Sequence, residues 1–182
     1  DAKLRLFREL INGNATAVID AGNEEGLPFM FAALDKGATV FTVGQGGAHI
    51  DVESVESEGF GQRVRGKLVG EPMEFLLPLV GRFQVDNAAV AAGLAMASGV
   101  DNKTAIAALE HLKGAKGRLE MVARRGERAV FVDYAHTPDA LENALDSLRP
   151  FAKGKLTVVF GCGGDRDKGK RDPGSGSGPS GS

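Results

Sequence analysis

Between Ala48 and Leu79 the apolar residues fall on alternate positions. HIDVESV, QRVRGKLV and MEFLLPL run in succession, broken by ESEGFG and GEP. A period of two with glycine at the breaks predicts three consecutive antiparallel strands. This run constrains the fold most, because it excludes both an all-helical chain and an all-parallel sheet.

On either side of it, helix and strand signals alternate. Ala2 to Leu10 reads as a helix, AVID (Ala17 to Asp20) as a short strand ending in AGNEEG, Leu27 to Leu34 as a helix. Ala38 to Val43 reads as a buried strand closed by GQGG. GRFQVDNAAVAAGLAMASG predicts an alanine-rich helix to about Ser98, stopped by Gly99, and Lys103 to Leu112 a second one. The glycine-rich GAKG that follows is the expected domain boundary. Strands are then expected at Leu119 to Ala123 and Ala129 to Val132. Thr137 suits a helix N-cap, Pro138 the first helical position, and Asp139 and Glu142 the positive helix end, with Pro150 closing the helix. KLTVVF (Lys155 to Phe160) reads as a strand, so strand, helix and strand together predict a βαβ unit and a parallel sheet. The fold class is α/β. The last eleven residues, DPGSGSGPSGS from Asp172, have the composition of a flexible, artificial-looking tail and lie outside fold reasoning.

Composition narrows the function classes. With 22 Lys+Arg against 24 Asp+Glu the net charge is -2 over 182 residues, which argues against nonspecific nucleic-acid binding. One cysteine excludes a disulfide framework and a multi-cysteine zinc site. No apolar run is long enough to span a membrane, and DAKLRLFREL has no signal-peptide shape, so a soluble cytosolic chain is expected.

Two segments could carry chemistry. Gly161-Cys162-Gly163-Gly164-Asp165-Arg166 follows a strand, the place where α/β sheets bind ligands, and Arg166, Lys168, Lys170 and Arg171 add charge for a phosphate or carboxylate. The alternative is a solvated turn. Asp133-Tyr134-Ala135-His136 ends another strand before a helix. The acid and the histidine could hold a ribose or act as acid and base, or simply satisfy turn backbone groups. GQRVRGKL (Gly61 to Leu68) almost spells a phosphate loop, but Leu68 stands where the hydroxyl is required and the surroundings alternate like a strand. Taken singly, Lys3, His49 and His111 read as ordinary surface or packing residues.

VDYAHTPDALENALDSLRPFAKGKLTVVFGCGGDRDKGKR closely resembles the bacterial Mur ligases, ATP-dependent amide-forming enzymes of peptidoglycan synthesis. LPLVGRFQVDNAAVAAGLA, GRLEMV and DAKLRLF resemble the same family in the same order. The likeness is strongest to the branch that adds diaminopimelate to UDP-N-acetylmuramoyl-L-alanyl-D-glutamate. It implies that residues 1–114 are the rear of a P-loop-type ATPase central domain. Residues 115–171 would then open a Rossmann-like C-terminal domain, with 172–182 as the tail. The family's UDP-sugar domain and phosphate loop are expected before Asp1, and the signature separating diaminopimelate from lysine beyond Asp172.

By position, the resemblance implies that Lys3 is a carbamylated lysine able to hold Mg2+, and that Asn87 lies near the adenine of ATP. It implies that Arg118 reaches the transferring phosphoryl group, Asp133 binds the ribose with Tyr134 and His136 beside it, and Arg166 grips a diaminopimelate carboxylate. The implied partners are UDP-muramyl-dipeptide and an amino acid, in a monomeric bacterial cytoplasmic enzyme without nucleic-acid or membrane partners. The 182-residue piece alone is expected to be inactive and of marginal stability. The alternatives are another Mur-type or folylpolyglutamate-type ligase, or a non-catalytic nucleotide- or anion-binding module.

Overall fold

The computed structural model describes residues 2–161, which form two compact units divided between Gly114 and Ala115. The first unit is a mixed sheet with helices. Helix α1 (Ala2–Arg5) runs on as a wider π-helical stretch over Leu6–Leu10, so the single helix read from the sequence changes pitch midway. Strands β1 (Thr16–Asp20) and β2 (Thr39–Gly44) are parallel, in the register Thr16–Thr39 to Asp20–Val43. The crossover between them is α2 (Leu27–Asp35), with proline in its first turn and Gly37 in the left-handed conformation just past its end.

Strands β3 (Ile50–Glu58), β4 (Gly61–Leu68) and β5 (Glu71–Leu77) form the antiparallel meander that the period-two run predicts. The near-phosphate-loop segment is β4 itself. The sheet order is β1-β2-β3-β4-β5, with β3 joining β2 in parallel over only two residue pairs. The tight passage from β2 to β3 depends on glycine: a Cβ on Gly47 would stand 2.6 Å from the Val43 Cα and 2.5 Å from the Ile50 carbonyl oxygen. A bulge between Val52 and Ser54 bends β3 opposite Gly66, where a Cβ would strike the Asp51 carbonyl oxygen.

One face of this sheet is covered by α3 (Arg82–Ala97) and α4 (Asn102–Leu109). Val85, Ala88, Ala89, Ala92 and Met96 of α3 pack with Val43, Ile50, Val64, Phe75 and Leu77 from the strands and Ile106 and Leu109 from α4. The alanines allow close approach, and at Gly93 even a methyl group would come within 2.8 Å of Val18 Cγ1 and 2.9 Å of Val43 Cγ1. A smaller cluster of Ala17, Ile19, Ala33 and Ala38 forms with α2, and Phe7 meets Phe29 edge to face there. Gln62, buried in β4, donates through Nε2 to the carbonyls of Leu79 (2.9 Å) and Gly81 (3.0 Å), which pins the chain where it enters α3. The α4 helix starts at Asp101, whose carboxylate accepts from the Thr104 amide, and ends at Leu109 rather than Leu112.

The outer face of the meander pairs its own charges. Arg63 bridges Glu58 and Glu74, Arg65 bridges Glu56 and Glu74, and Lys67 meets Glu53. At the edge, the Leu76 amide of β5 donates to Glu110 Oε1 at 2.9 Å, and Pro72, on the same outward-facing register, has no amide hydrogen.

The second unit is sparer. Strands β6 (Glu120–Arg125) and β7 (Arg128–Val132) form an antiparallel hairpin that turns at Gly126, and α5 (Pro138–Leu148) follows with a single 3-10 turn at Arg149–Phe151. Thr137 Oγ1 accepts from the Ala140 amide, as a capping threonine should. The βαβ expectation is corrected here: among the described residues Lys155–Phe160 joins no sheet, and β7 pairs with β6 instead. The hairpin closes over a two-residue turn at small entropic cost. A parallel strand needs a paired neighbour and cover on both faces, whereas here Val159 is 96% exposed.

Candidate functional site

The candidate site grows from the end of β7. The chain leaves the strand at Val132 and turns before α5, and Asp133 governs that turn. Its Oδ1 accepts from the Ala135 amide at 2.8 Å, and its Oδ2 accepts from the Leu119 amide at 2.9 Å. In return, the Tyr134 amide donates to the Gly117 carbonyl at 2.8 Å. The two hydrogen bonds to residues 117 and 119 straddle Arg118.

The segment they hold is not relaxed. Gly117 has φ +67, and Leu119, a buried non-glycine residue, has φ +45. The Gly117 amide donates to Glu120 Oε2 at 2.9 Å and the Arg118 amide to the Ala115 carbonyl at 3.1 Å, so the turn is hydrogen-bonded throughout. Beside it, His136 Nδ1 lies 3.1 Å from the Tyr134 carbonyl oxygen, and the two rings stand 5.3 Å apart, tilted by 53°. Tyr134 is 73% exposed.

Four of the sequence-predicted residues, Arg118, Asp133, Tyr134 and His136, therefore belong to one pair of joined turns. Of the two readings of Asp133, the structure displays the backbone one, since both carboxylate oxygens accept main-chain hydrogen bonds. A carboxylate retains further lone pairs, so this use does not exhaust it. A guanidinium, a phenol and an imidazole on exposed side chains supply the donors and flat faces that suit a phosphorylated, aromatic ligand.

Lys3 and Asn87 belong to the first unit. Lys3 is exposed on α1, and Asn87 lies on the exposed side of α3. Arg166, with Cys162–Arg171 of the glycine loop, lies outside the described residues. Among those described, no three His, Cys, Asp or Glu side chains converge as a metal-holding group.

Sequence reasoning missed a second strand-end feature, in the first unit. Asp20 closes β1, and its Oδ1 accepts from the Gly22 amide at 3.0 Å. Gly44, at φ +86, leaves the space that this carboxylate enters. Asp86 on α3 is half-buried, and burial holds its carboxyl above the usual range. Arg82, 3.2 Å away, pulls in the opposite direction, and the charge of Asp20 adds to the rise. An acid at the end of the first parallel strand is the signal that was available, because open α/β sheets gather ligand groups there.

The Mur ligase middle domain matches residues 1–95, and the Mur ligase glutamate ligase domain matches residues 117–179. The chain belongs to the Mur ligase family. A UDP-N-acetylmuramoyl-L-alanyl-D-glutamate–2,6-diaminopimelate ligase from Bradyrhizobium diazoefficiens is 50% identical to this Mur ligase chain over 174 residues, which is 93% of the chain and 36% of the relative. A solved structure of a ligase with that name superposes with a TM-score of 0.73 at 33% identity, covering 93% of this chain and 35% of the other. The folylpolyglutamate synthetase of Lactobacillus casei aligns with a TM-score of 0.62 at 17% identity, over 85% of this chain and 40% of that one, and shares the fold alone. The Mur ligase chain thus spans about a third of the length of the curated relatives it matches.

Proposed function

We propose that this Mur ligase chain is part of an ATP-dependent ligase of bacterial peptidoglycan biosynthesis, acting in the cytoplasm as a monomer. Its substrates are UDP-N-acetylmuramoyl-L-alanyl-D-glutamate and diaminopimelate, with lysine the alternative amino acid. The observation that carries this reading is the joined pair of turns that brings Arg118, Asp133, Tyr134 and His136 together, in a chain half-identical to ligases of that name. In the reaction a substrate carboxylate oxygen takes the terminal phosphoryl group of ATP and ADP leaves. The amine of the incoming amino acid then attacks the acyl carbon, inorganic phosphate departs and an amide remains.

The residues divide that work. Arg118 offers a planar fork of donors to the oxygens of the transferring phosphoryl group, where positioned charge lowers the barrier. Asp133, Tyr134 and His136 border the nucleoside, and Asn87 serves the adenine. Arg166 takes a carboxylate of the amino acid. Lys3 would hold Mg2+ once its neutral amine had added carbon dioxide and lost a proton, which gives a carbamate carboxylate.

The test uses the full-length polypeptide that carries this segment. With ATP, Mg2+ and the UDP-muramyl-dipeptide, it is expected to release phosphate only when diaminopimelate, or alternatively lysine, is added, and to form the matching tripeptide. The isolated 182-residue chain is expected to give neither product. Tripeptide formation by the isolated chain, or dependence of the full-length protein on a glutamate tail instead, overturns the reading.

A further inference from the structure

We propose that Glu120 is a positioning residue for phosphoryl transfer, its carboxylate clamping the loop that carries Arg118 and fixing that loop to the hairpin that delivers Asp133. The inference deepens the proposed function and rests on it: Arg118 serves the phosphoryl group and Asp133 the ribose. Glu120 Oε2 accepts from the Gly117 amide at 2.9 Å, which closes the loop from Gly117 to Glu120 across its own mouth. Glu120 is also the first residue of β6, where it pairs with Val132 of β7, the residue before Asp133. One residue therefore joins the two halves of the site. Its main chain lies in the register that leads into Asp133, and its side chain holds the start of the Arg118 loop.

A clamp is needed because the loop follows no regular path. Gly117 at φ +67 and Leu119 at φ +45 both stand in the left-handed region, on either side of Arg118. Leu119 carries a Cβ and holds that conformation only where surrounding structure enforces it. Gly117 is engaged through both of its polar groups, the amide by Glu120 and the carbonyl by the Tyr134 amide at 2.8 Å. Glu120 is half-buried, where a hydrogen bond is stronger than in open water. Releasing the Gly117 amide lets the backbone before Arg118 rotate. A displacement of about 1 Å at a charge-stabilising group costs up to roughly a hundredfold in rate. Chemistry separates reach from charge at this position. Glutamine keeps an acceptor oxygen at the same distance from the main chain and loses the charge, whereas aspartate keeps the charge and falls short. A clamp needs the reach.

The experiment uses the full-length polypeptide, reading kcat and the KM for ATP together with amide hydrogen exchange over residues 115–120. Glu120→Ala and Glu120→Asp are each expected to lower kcat by roughly ten- to a hundredfold, with the KM for ATP changed less than about threefold. In both, exchange over 115–120 is expected to quicken. Glu120→Gln is expected to keep most of kcat and the exchange of the wild type. In the Arg118→Ala background, Glu120→Ala is expected to cost less than about twofold further, because the group it positions is gone. Activity that follows the charge, kept by Glu120→Asp and lost by Glu120→Gln, overturns the inference. Additive losses in the cycle, or undisturbed exchange in Glu120→Ala, overturn it as well. Thermal melting identifies any variant that fails to fold, and if Glu120→Ala is one, the contrast between glutamine and aspartate decides alone. A wild-type protein with no ATP-dependent turnover overturns the functional reading, while the exchange of the variants still decides whether Glu120 holds the loop, which keeps the two failures apart.

Discussion

The two units of the chain are held by different means. The first buries a continuous set of side chains, with Val43, Val64 and Leu77 wholly enclosed, and its sheet is five strands wide. In the second, Leu119 is the single hydrophobic side chain buried among the described residues, and α5 buries none. Met121, Val122, Val130 and Val132 of its hairpin are all more than 40% exposed. Among the described residues, its turns are joined by hydrogen bonds of the Asp133 carboxylate, the Tyr134 amide, the Glu120 side chain and the Thr137 cap. An apolar core tolerates small shifts in any one member, whereas a few directional hydrogen bonds specify a single geometry at a few residues. The candidate functional residues lie on the part of the second unit that is specified in this way.

This contrast can be broken by substitution. The largest effect is expected from Gly66→Ala, whose methyl group meets the Asp51 backbone at the β3 bulge and has no flexible neighbour to displace. Overpacking costs about 1–3 kcal/mol and occasionally more, a clash with rigid backbone belongs at or beyond the upper end, and thermal melting should show the first unit losing its cooperative transition. Leu77→Ala comes next, at roughly 2–5 kcal/mol for a wholly buried leucine. Val130→Ala, at a position 56% exposed, should stay within about 0.5 kcal/mol. Equal losses from these two would erase the distinction between the units.

Thr137→Ala removes the α5 cap at a cost of about 1 kcal/mol. Amide exchange over residues 138–148 should quicken while the β1–β5 sheet is unchanged. The smallest effect concerns pH. The native carboxyl of Asp86 titrates above its unfolded range, so its contribution is most favourable below the unfolded value and is lost as pH rises through that value to the native one. Asp86→Asn should flatten the fall in stability across that window, and a steeper fall would contradict the burial argument. Glu58 and Glu74 work in the other direction. Their hydrogen bonds to Arg63 hold both below the usual carboxylate range, so stability they confer is lost as pH falls through their native values.

The legibility of the molecule follows the same divide. The meander was plain from alternation, and the GQRVRGKL segment was rightly set aside as a strand, because period two reflects burial of one face and survives in the fold. The caps at Thr137 and Gly99 were equally local. Lys155–Phe160 was misread because β-branched apolar composition describes what a strand needs, not whether a neighbour is there to pair with it. At the candidate site, residue type and motif pointed to Arg118, Asp133, Tyr134 and His136. Nothing in the sequence says that the Asp133 carboxylate is engaged 14 residues back, at an amide beside a left-handed leucine. Long-range ties between a side chain and a main-chain group leave no periodic trace. The same holds for Asp20 and Asp86, which come into range only when β1 and α3 pack.

The outward edge of β5 has a consequence for how the protein behaves among other chains. An unpaired strand with free amides invites any similar strand to add to it, and repeated addition is the route to fibrils. Here Pro72 contributes no amide hydrogen and Glu110 occupies that of Leu76, so of the outward amides in that span Glu74 alone is left as a donor for a visiting strand. Glu110 lies just past α4, so this protection arrives only once the helix has folded back on the meander. Until then the outward amide of Leu76 on β5 is open to a visiting strand.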